Sequence, residues 1–426
     1  MNLVTMNRFA FILSSIVLMA GCSGFLNMGK GQDEDITPIE RKDITLSRAQ
    51  VAYVNAGNEF AFKLFSKLLA QEKSSFMVSP LSVEYALSML CNGAAGTTQE
   101  EILNLLGYKA GEMADVNEFC KYLAESLYKV DNTVKLNLAN ALIANAAFAR
   151  LKNDYTITLS TYYDALAKSF DFKTENKAAL SYINNWAKEQ TNGMIPSLLD
   201  ELDPDTYALL MNAIYFKGIW GENVKFDTRN TRQDIFTMEN GSKVKVNYMN
   251  KQSDLNYYEC DQYKMVRLPY GNGAFQMVVA LPNEGETLAN VAAALEAEPS
   301  RLNMMANCHV KLKIPKFETA STIYLKDVLK SMGMISAFQF FPFSNFSQMA
   351  EDPIMVTKIF QKSKIKVDEK GSEAAAVTVI GMEFATVAPP PNPPTVFEFY
   401  ATRPFMYMIR EVSTGAILFM GKYDVI

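Results

Sequence analysis

The sequence predicts an α+β protein, a single large domain in which helices come first and large sheets follow. Three observations carry this. Apolar residues recur at helical spacing in the first third, strand-like runs flank tight turns in the remainder, and no repeat or domain linker interrupts Thr45 to Ile426. With 426 residues, 49% of them hydrophobic and 20% charged, the chain has ample material for one large core.

The N-terminus reads as a targeting segment. Arg8 is followed by an apolar run from Phe9 to Leu18 and then by Met19-Ala20-Gly21-Cys22, the layout of a secretory signal peptide, too short for a spanning helix. Small residues before a cysteine resemble a bacterial lipoprotein signal. Residues 1–21 are therefore expected to be removed and Cys22 to become a lipidated first residue. Residues 22–47, polar and acidic, would form a flexible tether, and 48–426 the folded body. The body is then expected in the bacterial cell envelope, held to the membrane by its lipid. Gly24 to Lys30 imitates a phosphate loop, but Gly31 stands where Ser or Thr is needed and no strand precedes it.

Within the body, Phe60, Ala61, Leu64, Phe65, Leu68 and Leu69 define an amphipathic helix. Ser79 caps and Pro80 opens the next one, which runs through Tyr85, Leu87 and Leu90 until Gly93 and Gly96 stop it. Thr97 to Glu100 is expected to form a capping box before Ile102 and Leu106. After the turn Thr191-Asn192-Gly193 come strands: Ala208 to Phe216, then Met265 to Leu268 and Phe275 to Leu281 around Gly271-Asn272-Gly273. A last hairpin pairs Phe405 to Arg410 with Ile417 to Met420 across Ser413-Thr414-Gly415. Pro389-Pro390-Pro391-Asn392-Pro393-Pro394 cannot donate to a ladder and is expected in an exposed loop.

Several kinds of chemistry are disfavoured. A net charge of -5 with basic residues spread along the chain gives no nucleic-acid groove. His309 is the only histidine, so Ser-His-Asp catalysis would rest on it alone and no second imidazole exists to share a metal. No GxSxG, HExxH or dinucleotide fingerprint follows a suitable strand. The chain is not expected to be an enzyme, and no cofactor or metal is expected. Cys91, Cys120, Cys260 and Cys308 lack CxxC spacing and read as buried free thiols.

The most informative segment is Val367-Asp368-Glu369-Lys370-Gly371-Ser372-Glu373-Ala374-Ala375-Ala376-Val377-Thr378. It reads as a hinge followed by a latent strand. On a strand, Ser372, Ala374, Ala376, Thr378, Ile380 and Met382 share one uncharged face, while Glu373 falls on the other with Ala375, Val377 and Val379. Gly371 to Ala385 would form a strand of roughly 50 Å at about 3.3 Å per residue. Ala-rich Glu373 to Ala376 also fits a short helix.

At this point the chain resembles a family, the serpins. Ser79-Pro80-Leu81-Ser82, Asn184-Asn185-Trp186, Asn212-Ala213-Ile214-Tyr215-Phe216-Lys217-Gly218-Ile219-Trp220, Leu268-Pro269-Tyr270, Ile314-Pro315-Lys316-Phe317, Arg403-Pro404-Phe405 and Leu418-Phe419-Met420-Gly421 all fall in the family's order, from Ala52 to Ile426. The resemblance implies a serpin fold of about three β-sheets and eight to nine helices, and a monomer. It also implies a metastable state whose exposed loop, about 369–396, is bait for a protease. A target endopeptidase would acylate on the loop, the loop would enter the main sheet, and the enzyme would be trapped. Hinge roles then fall on Glu369, Gly371, Ser372, Glu373, Ala374, Ala375 and Ala376. The sheet-opening region is identified with Ser79, Ser82, Asn212, Trp220, Lys316 and Gln361.

Gln361 stands where serpins commonly carry a histidine, so a bridge to Ser82 or Asn212 is expected without pH dependence. An ion pair between Glu369 and Lys316 is expected at the top of the sheet. The family's usual spacing puts the reactive bond at Ala385-Thr386, with Phe384-Ala385 as the neighbouring option. No Lys, Arg or His lies between Gly371 and Thr402, so the expected targets are elastase-like or chymotrypsin-like serine proteases, with papain-like enzymes also open. The alternative is a non-inhibitory serpin acting as a binding or chaperone-like surface protein.

Overall fold

A computed structural model describes residues 37–372 and 395–425. Cys22 and the segment holding Glu373, Ala374, Ala375, Ala376, Phe384, Ala385, Thr386 and the proline run lie outside the described residues. In chain order the elements are α1 (Arg48–Gln71), β1 (Phe76–Val78), α2 (Pro80–Gly93), α3 (Gly96–Leu106), α4 (Met113–Leu127), β2 (Val134–Asn145), α5 (Asn153–Tyr163), β3 (Leu166–Phe170), α6 (Asn176–Gln190), β4 (Ala208–Ile219), β5 (Arg232–Thr237) and β6 (Lys243–Glu259). There follow β7 (Tyr263–Pro269), β8 (Phe275–Pro282), α7 (Leu288–Ala297), β9 (Ala306–Pro315), β10 (Phe317–Tyr324), α8 (Lys326–Ser331), β11 (Lys358–Asp368), β12 (Gly371–Ser372), β13 (Val396–Tyr400), β14 (Phe405–Glu411) and β15 (Ile417–Tyr423).

The six-stranded sheet runs β10-β11-β12-β4-β2-β3, and the other nine strands hydrogen-bond into a second sheet. In the nine-stranded sheet β6 is shared: its first half pairs with β5, its middle with β9 and its end with β7. The three sheets anticipated thus appear as two hydrogen-bonded ones, one of them turning along β6. Both sequence-predicted hairpins form, β7 with β8 and β14 with β15.

Side-chain alternation assigns the faces of the six-stranded sheet. In β11, Ile359, Gln361, Ser363, Ile365 and Val367 are buried, while Lys358, Lys362, Lys364 and Lys366 project from the other face. Phe360 on that second face joins Leu209 and Met211 of β4 under α6, against Ile183 and Ala187. The first face meets the main core, which includes α1, α2 and the nine-stranded sheet.

Side-chain caps open α1, α2 and α7, and one cap that the sequence leads us to expect does not form. Ser79 accepts from Ser82 N and Pro80 opens α2, as the sequence indicates. The expected Thr97–Glu100 capping box does not form. α3 starts at Gly96, without a side-chain cap, and Thr98 is buried. There its Oγ1 accepts from Asn345 N and Ser336 Oγ, each at 3.0 Å. A tertiary contact has taken the hydroxyl next to the expected cap. The capping box belongs instead to α1, between Ser47 and Gln50.

Residue 48 is the start of α1, yet part of the expected tether already lies along the body. Ile39 N donates to Asn132 Oδ1 and Ile44 N to Ser413 Oγ, both at 2.9 Å. All four cysteines of the body are free. Cys91 and Cys120 are buried, whereas Cys260 and Cys308 are half-buried. Burial pushes the Cys91 thiol up to about 12.

Candidate functional site

The described part of the predicted hinge, Glu369 to Ser372, sits in a fork of the six-stranded sheet. Parallel β4 and β11 pair directly from Leu209–Lys358 to Ile214–Ser363. Further along, β12 lies between them and is antiparallel to both, with Ser372 opposite Val367 on one side and Gly218 on the other. Among the described residues, the β4–β11 ladder ends at Ile214–Ser363, and the two-residue β12 lies between the strands at Gly218–Val367 and Ile219–Asp368.

The turn Asp368-Glu369-Lys370 reverses the chain, and its polar groups are held from all sides. Lys370 N donates to Asp368 Oδ1 at 3.0 Å. The segment after β4 takes the carbonyls: Trp220 Nε1 donates to Asp368 O and Trp220 N to Lys370 O, both at 2.8 Å, and Phe226 N donates to Glu369 O at 3.2 Å. Gly371 has φ +154°, and a Cβ there would be driven into the carbonyl oxygen of Gly218. Ser372 is fully buried, and its hydroxyl shares a 2.6 Å hydrogen bond with Tyr270 Oη. Tyr270 stacks on Trp220 with centroids 4.6 Å apart and planes at 12°. Such an aromatic pair is worth about 0.5–1.5 kcal/mol beyond its buried area.

Lys316 and Glu369 meet, with Nζ 2.8 Å from Oε2, and Thr231 Oγ1 donates to Glu369 Oε1 at 2.7 Å. Burial raises the Glu369 carboxyl, but the Lys316 ammonium and the Thr231 hydroxyl outweigh it and hold the group below its ordinary value. A lowered folded value means stability is present above the unfolded value and lost as pH falls through the folded one. Lys316→Ala is expected to cost about 1–3 kcal/mol at pH 7, because the nearly buried carboxylate loses its cation. In guanidinium denaturation, the gap from wild type should narrow as the solution is acidified through the carboxylate range. An unchanged midpoint at pH 7 would remove this pair from the account.

About 20 Å further along the sheet, at roughly 3.3 Å per residue, the remaining predicted residues form a buried polar cluster. Gln361 Oε1 accepts from Ser79 N at 2.6 Å, while its Nε2 donates to Asn212 Oδ1 at 2.6 Å and to Ser79 O at 3.2 Å. Asn212 Nδ2 donates to Ser82 Oγ, to Asn140 Oδ1 at 2.9 Å and to Ala139 O at 3.3 Å. Ser79 Oγ donates to Leu418 O at 2.6 Å. The start of α2 is thereby tied to β11, β4, β2 and β15. The amide of Gln361 donates and accepts at once, a bridge that needs no proton to come or go.

Sequence reasoning missed two members of the site and one buried charge outside it. Tyr270 was visible only as part of a motif, and Thr231 carried no signal at all. Glu84 is the buried charge, inside the apolar run of α2, and among the described residues it has no cation partner. Tyr108 Oη donates to Glu84 Oε1, and Gly57 of α1 supplies the room, since a Cβ there would press on the carboxylate. The titratable neighbours, Tyr85, Tyr108 and Cys120, are all neutral acids at pH 7. Burial pushes Glu84 up to about 7, against the opposing Tyr108 bond.

A raised folded value gives stability that is full below the unfolded value near 4.5 and is lost as pH rises through about 7. The expected result is a decline on the order of 3 kcal/mol between pH 4.5 and 8. Glu84→Gln should abolish that part of the slope, as read from denaturation midpoints across the range.

His309 lies on β9, where Nδ1 is 2.8 Å from Asp254 Oδ1 and Nε2 is 2.8 Å from Gln252 Nε2. The partner of its second nitrogen is an amide rather than a nucleophilic hydroxyl.

Comparison with known proteins agrees with this architecture. Residues 55–424 match the family model described as serpin (serine protease inhibitor). An uncharacterised serpin-like protein of Thermococcus kodakarensis is 32% identical over 96% of each chain. Iripin-8 of Ixodes ricinus is 32% identical over 89% of this chain and 95% of its own. Among solved structures, the native state of the thermophilic serpin tengpin superposes with a TM-score of 0.80 at 26% identity, covering 92% of this chain and 98% of that one. Human thyroxine-binding globulin in complex with thyroxine superposes with a TM-score of 0.78 at 27% identity, over 88% and 98%. The chain belongs to the serpin family, whose members are in general inhibitors of proteases rather than enzymes.

Proposed function

We propose that this protein is a suicide-substrate inhibitor of elastase-like or chymotrypsin-like endopeptidases, with papain-like enzymes as further targets, anchored in a bacterial envelope through a lipid on Cys22. In this reading Ala385-Thr386 is the bait bond, with Phe384-Ala385 as its neighbour. Attack on it frees Glu373 onward to follow Ser372 between β4 and β11. The observation that carries the reading is β12, two residues already paired on both sides within the fork.

Continuing that register along the sequence supports it. Ala374 would come beside Phe216 and Ile365, Ala376 beside Ile214 and Ser363, and Thr378 beside Asn212 and Gln361. These side chains are small enough for a core-facing strand. Glu373 would fall on the outer face between Lys217 and Lys366, where a carboxylate meets two ammonium groups.

The test is incubation of the full chain with elastase, chymotrypsin, papain and trypsin, followed by a denaturing gel. Covalent complexes are expected with one or more of the first three and none with trypsin. Loop cleavage without any complex would overturn inhibition and leave the non-inhibitory, binding-protein reading.

A further inference from the structure

Strands β7, β8 and β14 carry two arginines on one face of the nine-stranded sheet, and among the described residues neither has a carboxylate partner. Arg410 of β14 lies opposite Gln276 of β8, and Arg267 of β7 lies opposite Val278, two residues along the same strand. The pleat therefore sends all three polar side chains to one side. Both guanidinium groups reach the turn after α7, Arg267 Nη2 donating to Leu302 O at 2.7 Å and Arg410 Nη2 to Asn303 Oδ1 at 3.2 Å.

The remaining donors have nowhere to go. Arg410 is 4% exposed, and its Nε and Nη1 are buried without an acceptor; the same holds for Arg267 Nε and for the Gln276 amide nitrogen. Nearby carboxylates are already committed. Glu411 accepts four hydrogen bonds from the backbone and hydroxyls of Ser413 and Thr414, and Glu298 pairs with Arg301 at 2.7 Å. Burial, with Arg267 as a like-charged neighbour, pushes Arg410 down to about 10 against the opposing pull of Glu411, and burial, with Arg41 nearby, lowers Arg267; a guanidinium keeps its proton at pH 7. Unpaired charge in a low-dielectric interior is costly, and two such charges repel each other. A negative group between them would relieve both costs at once.

The guanidinium fork matches the paired oxygens of a carboxylate or a phosphate, and Arg267 is only half-buried, which leaves one side open to solvent. We propose that Arg267, Gln276 and Arg410 form a binding site for a small oxyanion, a carboxylate or phosphate group seated between the two guanidinium groups. The site is separate from the hinge and does not depend on the inhibitory reading.

The experiment is thermal unfolding of the full chain with acetate or inorganic phosphate, at ionic strength held constant with sodium chloride. A saturable rise of about 2–4 °C is expected. The anion that saturates at lower concentration identifies the headgroup. In Arg267→Gln the apparent affinity should fall about tenfold or more, as loss of a charge-assisted bond implies. Arg267→Glu guards against a simple folding defect, since its carboxylate would sit beside Arg410. That variant should melt higher than wild type in chloride and respond to neither anion. No response in wild type, a response that never saturates, or one unchanged in both variants overturns the site.

Discussion

Under the proposed trapping mechanism, replacing Ser372 with arginine is expected to turn the protein from an inhibitor into a substrate. Ser372 is fully buried at the point where β12 enters the fork, and its hydroxyl partner is Tyr270 beneath the Trp220 ring. A guanidinium group at this position would have to be buried with one phenol for company, at a cost of several kcal/mol. The strand would then stall at its first core-facing residue while the protease completes its hydrolysis. Gels should show a loss of covalent complex of about tenfold or more, with cleaved chain in its place; a 1.4 kcal/mol handicap in the partition already gives tenfold. Ser372→Ala, which fits the same space and loses one hydrogen bond, should keep trapping. If Ser372→Arg traps as well as wild type, insertion at this position does not drive the outcome.

Asn212→Ala is expected to have the largest effect on stability. Asn212 is almost fully buried, donates to Ser82, Ala139 and Asn140, and accepts from Gln361, so one truncation strips partners from both β11 and α2. Leaving buried donors and acceptors unpaired costs about 1–3 kcal/mol each, and local repacking reduces the sum. A loss of about 2–4 kcal/mol in guanidinium denaturation is expected. A loss below about 0.5 kcal/mol, the range of ordinary surface substitutions, would mean that water or rearrangement satisfies the cluster and that it does not hold the sheet closed.

The sequence disclosed those parts of the fold that depend on local chemistry. Ser79-Pro80 starts a helix because a hydroxyl cap and a fixed φ act within one turn. The hairpin turns at Gly271-Asn272-Gly273 and Ser413-Thr414-Gly415 act over similarly short distances. Local reading failed at Thr97 because long-range contacts recruited the neighbouring Thr98 hydroxyl.

Of the expected hinge, Glu369, Gly371 and Ser372 lie in the turn and in β12, while the small residues that follow lie outside the described residues. The contact of Lys316 with Glu369 was legible only through the family resemblance, since nothing local brings β10's preceding residue to the turn after β11. Tyr270 as the partner of Ser372, Thr231 as the second support of Glu369, and the meeting of Arg267 with Arg410 depend on strands distant in sequence. Glu84 is intermediate. Its charge in an apolar helix was readable, but the absence of a cation around it among the described residues required the packed structure.

The central proposal is that the residues after Ser372 enter the six-stranded sheet as a new strand once the loop is cut. The most direct measurement is the melting temperature before and after cleavage of the loop between Glu373 and Pro394. Adding a strand of about fifteen residues between β4 and β11 would bury its core-facing side chains and replace their direct ladder, Leu209–Lys358 to Ile214–Ser363, by two longer ones, a net gain on the order of 10 kcal/mol. In a chain of this size that corresponds to a rise of about 10–20 °C or more, and the cleaved protein is predicted to show it. A cleaved protein that melts at the same temperature as the intact one, or lower, would contradict the account.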